Sequence, residues 1–131
     1  MEMKICLDTN AYSRLLGGDT AIAGLLERAE EIVVPSTVIG ELFYGFLNGS
    51  RPSENETRLE RFLAEDGISV QPTTKAIAER YGYVKASLKK RGNPIPENDI
   101  WIAAAALETG SRLLSYDAHF DQVAGLIRLT P

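Results

Sequence analysis

The sequence has little of what builds disulfide frameworks or zinc sites. It contains one cysteine, Cys6, and one histidine, His119. One cysteine cannot form an internal disulfide, and its place in an apolar run predicts a small buried side chain in a protein of the reducing cytoplasm. One histidine and one cysteine leave no plausible zinc site and no obvious Ser-His or Cys-His catalytic pair.

Long hydrophobic runs are also missing. The longest, residues 100–107, is too short to span a bilayer. The first five residues lack the basic segment and the apolar stretch of a signal peptide. We therefore expect a cytoplasmic protein with no membrane association.

The charge balance gives no net excess of basic residues. The formal net charge is −4 over 131 residues, so binding to nucleic acid through bulk charge is not indicated. Residues 73–92 alone carry +5, however, which leaves −9 for the rest. This segment is either a surface for a polyanion or a solvated helix face. Its candidate phosphate contacts are Lys85, Lys89, Lys90 and Arg91.

What is present is the composition of one folded domain, residues 1–131, with 44% hydrophobic and 24% charged residues. Short apolar runs predict strands at 4–7, 32–34, 68–70, 112–116 and 127–129. Helical patterns lie at 21–30, 36–47 (with Ser36 as N-cap), 53–65 (opened by a capping box at Ser53) and 97–109 (ended by Gly110), and a basic helix ends at Gly92. This alternation predicts an α/β fold, a three-layer α/β/α sandwich with a mainly parallel central sheet.

Acidic residues follow two of the predicted strands. Asp8 and Asp117 come directly after strands, and ligands of such sheets bind at the carboxyl ends of the strands. Either residue, taken alone, is better explained as a turn or N-cap residue. Asp99 lies in the first turn of its helix, where a carboxylate complements the helix dipole in any case.

Glu41 is harder to explain structurally. It lies in the middle of an apolar helix, with no lysine or arginine within a helical turn. A carboxylate there must reach a rim or a cation, and a shared metal ion is such a cation. A site of carboxylates without histidine or cysteine favours Mg²⁺, with Mn²⁺ as the other option, and suits phosphodiester hydrolysis. Neutral side chains beside the acids are suited to orient water and phosphate: Thr9, Asn10, Asn98 and Ser115.

Four segments together resemble the motifs of PIN-domain nucleases. They are LDTN at 7–10, STVIGELFYG at 36–45, NDIWIAA at 98–104 and LSYDAHF at 114–120. Their order and spacing cover nearly the whole chain and are most similar to the small toxin ribonucleases of type II toxin–antitoxin systems, called VapC. The resemblance implies catalytic and metal-ligating roles for Asp8, Glu41, Asp99 and Asp117. Asp121 is either an assisting acid or a surface acid.

The resemblance also implies partners: an RNA substrate, a cognate antitoxin and a second copy of the chain in a homodimer. The apolar residues Phe43, Tyr44, Phe46 and Leu47 outnumber what one helix face needs for a core. With the helix at 53–65 they are expected to form a groove for the antitoxin tail, whose Arg or Lys reaches the acids. A core role is an equal alternative for any one of these aromatic residues.

Two other α/β families are excluded by sequence. A response-regulator receiver needs paired acids after the first strand, an Asp after the third and a Lys after the last, where this chain has Thr9, Gln71 and Thr130. A haloacid-dehalogenase-type phosphatase needs Asp-x-Asp, but Asn10 stands at the second position. A PIN scaffold used only to bind RNA or protein remains as the alternative.

Overall fold

A computed structural model of the protein describes residues 3–131. Met1 and Glu2 lie outside the described residues, and so do the parts of the domain and signal-peptide expectations that concern them. Within residues 3–131, no helix has the length and apolar character needed to cross a membrane.

The centre of the fold is a parallel sheet. Its strands are β1 (Lys4–Leu7), β2 (Glu31–Pro35), β3 (Ile68–Gln71), β4 (Arg112–Leu114) and β5 (Arg128–Leu129). They lie in the order β3-β2-β1-β4-β5, with every neighbouring pair parallel. All five predicted strands are confirmed, although β4 and β5 are shorter than the apolar runs that predicted them.

Both faces of this sheet are covered. Ile5, Cys6 and Leu7 of β1 are all completely buried. Because successive side chains of a strand point to opposite faces, helices must pack on each side. The three-layer α/β/α arrangement is therefore confirmed. Burial also raises the pKa of the Cys6 thiol, which makes it a packing residue rather than a reactive one.

The helices in residues 3–131 are α1 (Thr9–Leu16), α2 (Thr20–Glu27), α3 (Ser36–Leu47), α4 (Pro52–Leu63), α5 (Lys75–Lys90) and α6 (Glu97–Thr109), followed by a 3-10 helix at Ala118–Gln122. The end of α6 at Gly110 is confirmed: this residue has φ of 67°, in the left-handed region that glycine adopts without strain.

Several helix boundaries differ from the prediction, and α2 spans Thr20–Glu27 rather than 21–30. Ser36 is the first residue of α3 rather than its cap, and its hydroxyl donates to the Gln71 carbonyl (3.2 Å). Pro52 starts α4, so Ser53 lies inside the first turn and forms no capping box. Helix α1 was not predicted, because it buries only Ala11 and Tyr12 and shows too little apolar periodicity.

The strand order places a switch point at β1. From β1 the chain builds β2 and β3 on one side, and it then crosses to form β4 and β5 on the other. Leu7 at the end of β1 is paired with Leu114 at the end of β4. The residues that follow these two strands therefore lie next to each other, at the place where open α/β sheets bind ligands.

Candidate metal centre

A cavity of about 370 Å³ opens at this carboxyl edge, and we call it the acid pocket. All four predicted acids line it, although they come from four separate segments of the chain. A fifth acid, Glu97, also lines it, and its carboxylate is paired with Lys85 at 3.0 Å. No lysine or arginine is among the described residues that line the pocket: Asp8, Thr9, Asn10, Glu41, Pro96, Glu97, Asn98, Asp99 and Asp117.

Asp8 begins α1 and also faces the acid pocket. The residue is 4% exposed, and its Oδ1 accepts a hydrogen bond from the Ala11 backbone N–H (2.8 Å). It is therefore an N-cap as well as a pocket residue. Burial raises the pKa of Asp8; hydrogen bonds from Ser115 and Ala11 oppose this rise, and the carboxylates of Asp117 and Glu41 add to it.

Glu41 is held by neutral donors rather than by a cation. The Thr9 hydroxyl donates to Oε1 at 2.7 Å, and the Asn98 amide lies 3.5 Å from Oε2. Glu41 is half-buried, so it reaches the rim of the apolar helix α3 and meets the pocket there. These contacts fix the direction of the carboxylate and leave its charge uncompensated.

His119 joins Asp99 to Asp117. Its Nε2 lies 2.7 Å from Asp99 Oδ2, and its Nδ1 lies 2.8 Å from Asp117 Oδ1. Each of the three side chains offers one potential metal-ligand atom, and these atoms lie within 4.8 Å of one another. Burial raises the pKa of Asp99, and the neighbouring imidazole offsets part of that rise.

His119 belongs to this site but was not predicted to. A single histidine gives no ligand spacing in the sequence, and its presence alone does not indicate a metal site. The available signal was its position two residues after Asp117, in the turn that follows a predicted strand.

Of the other predicted supporting residues, Asn10 and Ser115 lie at the site and Asp121 does not. Asn10 lines the acid pocket, and the buried Ser115 accepts a hydrogen bond from the Asp117 backbone N–H (3.0 Å), which fixes the turn carrying that acid. Asp121 does not line the pocket. It is exposed and binds Arg128 through two hydrogen bonds of 2.9 and 3.0 Å, so the structure agrees with a surface acid.

The four predicted phosphate contacts on α5 and at its end do not form one patch. Lys85 and Lys89 line a cavity of about 390 Å³ that adjoins the acid pocket through Glu97. Arg91 instead donates to the Gln122 carbonyl and lines a separate cavity. Lys90 is exposed and lines neither of these cavities. Only the first two are therefore placed beside the acids.

The four residues of the predicted antitoxin groove do not lie on one surface either. Phe46 is 8% exposed and packs in the core, with its ring centre 5.9 Å from that of Phe43, which is half-buried. The structure therefore corrects the prediction for Phe46, which takes the core role. Tyr44 is 70% and Leu47 69% exposed, and Tyr44 lines a cavity that shares Glu41 with the acid pocket.

Comparison of the sequence with known proteins identifies relatives along most of the chain. The family model of the PIN domain matches residues 5–126. The chain is 34% identical to "Ribonuclease VapC2" of Haemophilus influenzae over 127 residues, which is 95% of each protein.

Solved structures with the same fold include two from VapBC systems. VapBC-1 from nontypeable Haemophilus influenzae superposes with a TM-score of 0.86 and 25% identity, over 97% of each chain. VapBC2 from Rickettsia felis, bound to a DNA fragment from their promoter, gives a TM-score of 0.86 and 24% identity over 97% of this chain and 98% of that one.

Proposed function

This chain belongs to the PIN-domain family, and from that premise we propose that it is a metal-dependent endoribonuclease, the toxin of a type II toxin–antitoxin pair. One observation carries the proposal. Asp8, Glu41, Asp99 and Asp117 come from four distant segments and meet in one pocket whose described lining contains no lysine or arginine.

The donor set suits a hard divalent cation. The pocket offers carboxylate oxygens from all four acids, and repulsion among them is relieved by a cation. We propose Mg²⁺, with Mn²⁺ as the alternative, held by Asp8, Glu41, Asp99 and Asp117. When bound, such an ion supplies an activated water molecule and neutralises charge that develops on the phosphate during hydrolysis.

The surrounding residues orient these ligands and the substrate. Thr9 and Asn98 hold Glu41, and Ser115 holds the turn that carries Asp117. Asn10 is exposed at the pocket and is available to donate its amide to a phosphate oxygen. Lys85 and Lys89 provide positive charge beside the pocket for the neighbouring RNA backbone.

The partners follow from the same family relationship. The exposed Tyr44 and Leu47 of α3 are proposed to contact an antitoxin, with Phe43 at the edge of that surface. A homodimer and a cytoplasmic location are proposed as well. The binding-only alternative is not favoured, because a scaffold that only binds has no need to bring four carboxylates together in a pocket whose described lining contains no lysine or arginine.

The test is RNA cleavage by purified protein in Mg²⁺ and in EDTA. Asp8→Asn, Glu41→Gln, Asp99→Asn and Asp117→Asn should each abolish Mg²⁺-dependent cleavage, and their expression should no longer inhibit growth. Circular dichroism should show that all four variants remain folded. If two of the four retain near-normal cleavage, the assignment of the four acids is wrong.

Two acids outside the pocket serve as matched controls. Asp66 is exposed in the turn between α4 and β3, and Asp121 binds Arg128 at the surface. Asp66→Asn and Asp121→Asn remove the same charge without touching the acid pocket. Both should cleave RNA at close to the parental rate.

A further inference from the structure

Arg14 of α1 is held in place by an aromatic ring. Its guanidinium carbon lies 4.2 Å from the centre of the Tyr116 ring. The Tyr116 hydroxyl donates to Asp19 Oδ2 at 2.6 Å, and Asp19 also caps α2 by accepting from the Ile22 N–H. The contact with Tyr116 restricts an otherwise flexible cation, because a guanidinium is attracted to the face of an aromatic ring.

Arg14 forms no direct ion pair among residues 3–131, although its charge contributes, after the hydrogen bonds from Tyr116 and Ile22, to lowering the pKa of the nearby Asp19. Several cations of α5 have carboxylate partners: Lys75 with Glu79, Arg80 with Glu108 and Lys85 with Glu97. Among residues 3–131, no carboxylate oxygen lies within 4.0 Å of the Arg14 guanidinium. An exposed and positioned arginine of this kind is available to an anion from solution.

The location of Arg14 relates it to the acid pocket. It lines a cavity of about 490 Å³ together with Ser13 and Tyr116, and this cavity shares Asn10 and Asp117 with the acid pocket. An anion bound at Arg14 would therefore lie next to a phosphate held at the acids. The cavity of Lys85 and Lys89 adjoins the same pocket through a different residue, Glu97.

We infer that Arg14 binds a phosphate of the RNA strand beside the cleaved bond, with Tyr116 and Asp19 as positioning residues. The inference rests on the proposed ribonuclease function. An RNA backbone carries a negative charge at each phosphate, and cations at the edges of an acidic pocket favour its binding there. Arginine suits this role because its planar fork matches two phosphate oxygens.

The first test separates binding from chemistry. The substrate is a short single-stranded RNA that the parent cuts at one mapped bond in Mg²⁺. Arg14→Gln should raise KM about tenfold with little change in kcat, since an exposed arginine–phosphate contact contributes at the low end of charge-assisted hydrogen bonds. The salt dependence of KM should become shallower by about 0.7 in slope, the value for one phosphate of a single strand.

Matched variants show whether the effect belongs to this position. Arg61→Gln removes an exposed arginine of α4 outside the acid pocket and its adjoining cavities and should leave KM and the salt slope unchanged. Arg14→Lys should keep the slope and recover part of the affinity. Tyr116→Phe keeps the ring but loses the hydrogen bond to Asp19, so it should raise KM by less than Arg14→Gln does. The double variant Arg14→Gln/Tyr116→Phe should have the same KM as Arg14→Gln alone.

The second test identifies the phosphate itself. In a series of substrates, each phosphate near the cleaved bond is replaced in turn by a neutral methylphosphonate. One such replacement should raise the KM of the parent about tenfold and leave that of Arg14→Gln unchanged, because the contact is already lost. If every replacement affects the two proteins equally, or if Arg14→Gln has the parental KM, the inference is overturned.

The experiments distinguish failure of the proposed ribonuclease function from failure of the role inferred for Arg14. If the parent does not cut RNA in Mg²⁺, the ribonuclease proposal fails, and if two of the four acid variants cut as well as the parent, the assignment of its site fails. If the parent cuts and Asp99→Asn does not, but Arg14→Gln keeps the parental KM and salt slope, only the role of Arg14 is wrong.

Discussion

Asp8→Asn tests the metal centre through stability alone, without an RNA substrate. The substitution keeps the size of the side chain and an oxygen able to accept the Ala11 N–H, so the start of α1 is preserved. It removes a carboxylate whose pKa is raised above its usual value of 3.8 by burial and by neighbouring carboxylates. We therefore expect Asp8→Asn to melt above the parent in EDTA at neutral pH.

The sign of the pH dependence follows from the raised pKa. The folded protein holds the Asp8 proton more tightly than the unfolded chain does. Stability from this group is therefore fully present below the usual carboxyl pKa and is lost as the pH rises through the folded value. The parent in EDTA should lose stability over that range, and Asp8→Asn should lose less.

Magnesium should reverse the order of the two melting temperatures, so that the parent melts above Asp8→Asn. An ion that binds only the folded state at one hundred times its dissociation constant stabilises it by about 2.7 kcal/mol. For 131 residues the unfolding entropy is about 0.28 kcal/mol/K, so the parent should melt about 10 °C higher in saturating Mg²⁺. Asp8→Asn should gain only a small part of this shift.

Thermal melts of four proteins (the parent, Asp8→Asn, Asp66→Asn and Asp8→Ala) in EDTA and in Mg²⁺ decide the matter. Asp66→Asn should behave as the parent does. Asp8→Ala should melt about 4 °C below Asp8→Asn, because losing an N-cap costs about 1 kcal/mol. If millimolar Mg²⁺ does not raise the Tm of the parent and Asp8→Asn does not raise the Tm in EDTA, the shared metal site is refuted.

Three further predictions concern other parts of the molecule. The Tyr12 hydroxyl is buried with no hydrogen-bond partner among residues 3–131. Tyr12→Phe should therefore raise the free energy of unfolding, measured by urea titration, by about 1 kcal/mol. A loss of stability would show that the hydroxyl does have a hydrogen-bond partner. Lys85→Gln and Lys89→Gln should each flatten the salt dependence of RNA binding by about 0.7, whereas Arg91→Gln should not, and equal effects from all three would restore a single basic patch. Tyr44→Asp and Leu47→Asp should release a co-expressed antitoxin from a folded protein, whereas Phe46→Asp should unfold it; retention of the antitoxin by both surface variants would place its binding site elsewhere.

The sheet and most helices were predictable because their apolar patterns are long enough to be distinctive. Helix α1 was not, because it buries only two residues, and its start is specified by the Asp8 side chain. Asp8 both caps this helix and lines the acid pocket, so a residue that has a structural role can also belong to the functional site.

The acids of the pocket were predictable from their place after strands and from the resemblance, but their partners were not. His119 was missed because contact with Asp99 arises only when α6 and the turn after β4 are brought together in the fold. The residues of the basic segment are adjacent in sequence, and this predicts one surface. Lys85 and Lys89 are one helical turn apart and share a cavity, whereas Arg91 follows the end of α5 and lines a different cavity, which sequence order alone does not reveal.

The pairing of β1 with β4 determines when the centre can exist during protein synthesis. Leu7 and Leu114 are neighbours in the sheet but are made far apart in time, and Asp117 is translated after both. A nascent chain that has not yet produced β4 therefore carries Asp8, Glu41 and Asp99 without the strand that brings Asp117 to them. A chain built on this plan therefore acquires its complete set of four acids only after its fourth strand has emerged and inserted beside the first.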